Sequence, residues 1–91
     1  MPIFMIAYDL RGKRKVYEGF YDTLKVLDSR SPLKAVQFVE TDRDAASLFM
    51  DLSEGLEPED RIVVMEIKDG ADWFAYGISN ERWLKAKLPQ S

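Results

Sequence analysis

A chain of 91 residues, 46% hydrophobic and 32% charged, has room for one globular domain (residues 1–91) with a modest core that further burial in a dimer would help. It contains no cysteine and no histidine, which excludes disulfides, thiolate metal sites, cysteine nucleophiles and the usual neutral-pH general base. The net charge of −3 argues against a dedicated duplex binder, no apolar run reaches membrane-spanning length and no signal-peptide pattern opens the chain, so the expected location is the cytoplasm.

Residues 3–10 (Ile-Phe-Met-Ile-Ala-Tyr-Asp-Leu) read as a buried central strand, because the run is strand-length, β-rich and almost continuously apolar. It ends at one acid, Asp9, and a basic loop follows at once: Arg11, Gly12, Lys13, Arg14, Lys15. Residues 16–27 show helical spacing, with Tyr17, Phe20, Tyr21, Leu24 and Leu27 on one face and Gly19 allowing close packing on the sheet. Residues 28–32 read as a turn, with a short strand at residues 33–35 and an alternating strand at residues 36–41. Asp42 is the expected N-cap of a second helix that carries Ala45, Ala46, Leu48, Phe49 and Leu52 on its apolar face, with Gly55 just past its end. Residues 61–67 form the next core strand, and Asp69-Gly70 is a hairpin signal leading to a short final strand at residues 73–77. Ser79 or Asn80 caps a last helix whose Trp83, Leu84 and Leu88 face inward, and Pro89 ends it.

This order predicts an α+β domain: a ferredoxin-like βαββαβ sandwich with an extra C-terminal strand and a short terminal helix. Two helices cover one sheet face, and the other face is solvated or meets a partner, for which Phe38, Trp73, Phe74 and Tyr76 are candidates.

Short matching pieces run along most of the chain: Tyr8-Asp9-Leu10, Tyr17-Glu18-Gly19 with Tyr21, Val39-Glu40-Thr41-Asp42, Leu56, Pro58, Asp60-Arg61 before Ile62-Val63-Val64, Gly77, and Trp83-Leu84-Lys85. In shared order and spacing they resemble the CRISPR-associated protein 2 superfamily, nearest its small SinR-family group. The resemblance implies a homodimer paired through its sheets. In the nuclease branch it also implies that Asp9 meets its two-fold mate to hold a divalent cation, Mg2+ or Mn2+, and acts as the catalytic carboxylate. Arg11, Lys13, Arg14 and Lys15 would then grip nucleic-acid backbone. The chain departs from that branch where a serine is usual near the third strand, since Ala35-Val36-Gln37-Phe38 has none, and residues 31–34 lack the aromatics common among SinR-like relatives.

Each of these residues also has a plainer reading. Asp9 can cap its turn, the Arg11 to Lys15 run can be a solvated loop, and Trp73 and Trp83 can pack rather than stack on bases. The acids Asp42, Asp44, Asp51, Glu54, Glu57, Glu59 and Asp60 match no metal-loop spacing. Two functions therefore stand: a non-catalytic interaction or nucleic-acid-related module, with a protein partner of its own, and a metal-dependent nuclease. A small-ligand sensor is a weaker third, for want of a glycine-rich phosphate loop.

Overall fold

The computed structural model describes residues 1–89, and within them the side chain of Arg14 lies outside the described set. The elements run β1 (Ile3–Asp9), a 3₁₀ turn (Arg14–Tyr17), α1 (Glu18–Val26), β2 (Asp28–Leu33), β3 (Val36–Glu40), α2 (Ala45–Ser53), β4 (Arg61–Ile67) and α3 (Glu81–Lys87). The strands form one four-stranded antiparallel sheet in the order β2-β3-β1-β4. The protein is thus α+β, with three helices packed on a single sheet among the described residues.

The apolar run is the central strand that its composition predicts. β1 pairs with β3 from Ile3 opposite Glu40 to Ala7 opposite Val36, and with β4 from Ile3 opposite Ile67 to Asp9 opposite Arg61. A strand hydrogen-bonded on both edges and covered on both faces needs apolar side chains at successive positions, which is why Ile3, Phe4 and Ile6 are all buried.

On one face, Ile6 and Val39 meet Tyr17, Phe20 and Leu24 near the first helix and Leu52 of α2. Phe20 packs edge-on against Tyr8 and Tyr21, with ring centroids 5.1 and 5.4 Å apart. On the other face, Leu84 and Leu88 close over Ile3, with Phe38, Ile67, Trp73, Ile78 and Trp83 around them. The C-terminal helix therefore occupies part of the face that the sequence leaves to solvent or a partner.

Several expected boundaries move. Residues 28–32, expected to be a turn, fall in the edge strand β2, while the strand expected at residues 33–35 ends at Leu33 and gives way to a turn at Lys34 and Ala35; Pro32 sits on the edge strand, where a missing N–H is tolerated. The pairing of β2 with β3 slips between Arg30 and Leu33, where the Ser31 hydroxyl lies 2.6 and 2.9 Å from the carbonyls of Leu33 and Val36. Asp44, not Asp42, caps α2 by accepting the Ser47 N–H at 2.8 Å. Phe49 and Ala46 are exposed, so the buried stripe of α2 narrows to Leu48 and Leu52. Gly19 has open space around it and serves no close packing.

The extra C-terminal strand is not formed. Residues 71–77 follow the Asp69-Gly70 turn as irregular backbone. The Trp73 indole N–H donates to the Leu88 carbonyl at 2.8 Å, drawing the chain over the sheet face, and the Ser79 N–H reaches the Pro32 carbonyl at 3.0 Å. Pinned at both places, the segment crosses toward β2 instead of running back along β4. The outer edge of β4 is left without a strand partner in this sheet.

Candidate functional site

The carboxyl end of β1 gathers the residues that the sequence singles out. Asp9 is exposed, lies opposite Arg61 in the β1–β4 register, and its carboxylate pairs with the Arg11 guanidinium at 3.2 Å. That pair is solvated on both sides, so it contributes on the order of 0–1 kcal/mol. Lys13 and Lys15 are also exposed, and Lys13 opens the 3₁₀ turn with its carbonyl accepting the Val16 N–H. Arg14 belongs to the same turn, with its side chain outside the described residues.

Asp9 does not cap the loop that follows it. Asp60 does, from across the sheet end. Its Oδ1 accepts the Arg11 N–H at 2.7 Å and the Tyr17 hydroxyl at 2.7 Å, while its Oδ2 accepts the Glu57 N–H at 2.8 Å. The Tyr17 oxygen in turn accepts the Gly12 N–H at 2.6 Å. A Cβ at position 12 would stand 2.9 Å from that oxygen, so only glycine allows this approach. One carboxylate thus ties the basic loop to the loop that precedes β4.

These contacts set the protonation of both groups. Desolvation pushes the Asp60 carboxyl up, but the N–H donors of Arg11 and Glu57, the Tyr17 hydroxyl and the Arg11 charge outweigh it, and the net displacement is downward. Burial raises the Tyr17 phenol above its ordinary value, and the bond to Asp60 raises it further. Asp60 is held as an anion by three hydrogen bonds and Tyr17 as a neutral donor, an arrangement suited to clamping loops rather than to moving protons.

Two of the other acids have local duties. Asp44 caps α2, and Asp51 pairs with Arg43, which also binds Ser47. Among the described residues no three acidic side chains gather as a metal-binding group. Trp83 and Trp73 pack into the α3 cluster, and the Arg30 guanidinium lies over the Trp83 ring at 5.4 Å.

A second feature lies on the sheet face beyond α3. Met65 and Val63, aligned with Met5 and Ala7 of β1, are half-exposed, as is Leu33 of β2. Beside them Phe74 and Tyr76 are 90% and 99% exposed. Together with the edge of β4 that has no strand partner in this sheet, these side chains form an uncovered apolar surface.

No protein-family model, no curated protein and no solved structure matches this chain. No described helix is long and apolar enough to cross a membrane.

The Tyr17–Asp60 clamp leaves no local mark in the sequence. Tyr17 was legible as a buried helix-face residue, and a buried tyrosine hydroxyl needs a partner. The identity of that partner, 43 positions away, was not.

Proposed function

We propose that this protein is a ferredoxin-like sandwich acting as a homodimeric, non-catalytic interaction module, on the architectural plan of the CRISPR-associated protein 2 superfamily. A reducing, cytoplasmic setting belongs to the same reading and rests on the absence of cysteine. The observation that carries it is the uncovered apolar sheet face of Val63 and Met65 beside Phe74 and Tyr76. A small domain that leaves such a face open gains stability by burying it against a second copy. Asp9 paired to Arg11 and Asp60 bound by three donors support an architectural role for the acids at this end.

Light scattering over micromolar concentrations tests it. The expected mass is that of a dimer, and Met65→Lys, which places a charge in the middle of the face, is expected to give monomers. A wild-type monomer throughout removes this reading.

The metal-dependent nuclease remains as a second reading because Asp9 is exposed at the carboxyl end of the central strand, next to Arg11 and the Lys13–Lys15 run. One carboxylate per chain does not make a Mg2+ or Mn2+ site, so the fit requires the partner copy's oxygens as well. The test is cleavage of RNA and DNA with either cation. Turnover that disappears in Asp9→Asn establishes this reading, and none, or turnover indifferent to that change, removes it.

A further inference from the structure

Between the C-terminal segment and the sheet runs a groove of about 240 Å³, bordered by Met5, Leu33, Val36 and Phe38 on the sheet side and by Trp73, Phe74 and Ala75 on the other. Among the described residues no charged side chain lines it. Its only aromatic N–H, from Trp73, is already donated to the Leu88 carbonyl. An apolar cavity of about 150 Å³ is enough to take a benzene ring, so this groove has room for an aromatic side chain. Phe74 borders the groove and is nevertheless 90% exposed.

The segment that carries Phe74 is held at its two ends and unstructured between them. Trp73 is anchored to Leu88, Ser79 to the Pro32 carbonyl, and the Asn80 side chain to the Ser31 carbonyl at 3.0 Å. The intervening residues 74–77 have neither strand nor helix. Within them Gly77 has φ of 69°, in the left-handed region that glycine adopts at no steric cost, so the strap contains a residue free of the Cβ restriction on backbone change.

We propose that residues 74–77 are a two-state strap, in which a one-residue twist replaces Ala75 at the groove with the Phe74 ring and seals the groove from within. Phe74 is the plug rather than Tyr76, because a lining without polar side chains would leave a phenol hydroxyl stripped of water and unpaired. The sealed strap withholds the groove from any partner, and the open strap presents Phe74 outward. This closure is a property of the single chain and holds whether or not a second copy docks.

The four methionines allow a direct test. With methyl-labelled methionine in the Met65→Lys chain, where a docked copy does not stand in for the strap, the Met5 methyl is expected to show ring contacts with Phe74. Its resonance is expected to move in Phe74→Ala, while that of Met50 on α2 stays still. An apolar fluorescent dye is expected to bind Phe74→Ala several-fold more strongly, since the vacated groove is then open. A Met5 resonance indifferent to Phe74→Ala, or dye binding that is unchanged or weaker, overturns the proposal. Circular dichroism of Phe74→Ala shows that the exposed site was changed without unfolding the chain.

Discussion

The two faces of the sheet are built from the same strands, yet one is finished and the other is not. Under α1 and α2, Ile6, Phe20, Val39 and Leu52 are wholly buried in a continuous core. Across the sheet, α3 seals only the Ile3 and Ile67 end, and Met65, Phe74 and Tyr76 remain in water. The first face is long helices laid over strands that alternate. The second depends on a seven-residue helix and an irregular strap. Stability is concentrated on one side of β1, and freedom to interact on the other.

Mutations that probe this difference should scale with it. Phe20→Ala removes a buried ring with two aromatic neighbours and is expected to cost about 3–5 kcal/mol in urea unfolding, enough to unfold a marginal domain. Leu84→Ala strikes the smaller cluster and is expected to cost about 2 kcal/mol, at the low end for buried leucines, since its surroundings can collapse. An equal or larger loss at Leu84 would mean that the second face is as well packed as the first.

The loop clamp should show its strength through pH. The Asp60 pKa is lowered on folding, so its contribution is present above the ordinary carboxylate range, and it is lost as pH falls through the depressed native value. Thermal unfolding followed from about pH 6 to well below about pH 4 should show that decline, and Asp60→Asn should flatten it. Tyr17 has the opposite sense. Its raised pKa means that stability is complete below the ordinary phenol value and drains away as pH rises through the native one. The smallest effect belongs to Met65→Lys, which should change monomer stability by no more than about 0.5 kcal/mol because the side chain is already half in water. If it destabilises the isolated chain strongly, the open face is part of the core.

Much of this architecture is legible from periodicity. β1 shows itself by unbroken apolarity, β4 by its β-branched run, and α1 and α2 by repeats that bring Phe20, Leu24, Leu48 and Leu52 inward. Residues 28–32 look like a turn because Ser, Pro and Asp favour turns locally, while pairing with β3 supplies what local preference lacks. The fifth strand was misread for the converse reason. Trp73 to Gly77 has strand-forming side chains, but the bond from Trp73 to Leu88 carries the chain off the edge of β4. Asp9 and the basic loop were visible at the candidate site, whereas their clamp through Tyr17 and Asp60 joins residues far apart in the chain and leaves no local pattern.

By itself, then, the sequence determined what depends on neighbours along the chain: an α+β class, the central strand, the two long helices, and the exclusion of thiol and imidazole chemistry. Only the tertiary structure decided which acid holds the basic loop, where the C-terminal segment runs, and which sheet face stays open. Those outcomes turn on contacts between residues 31 and 80, 17 and 60, and 73 and 88, which form only once folding has brought them together.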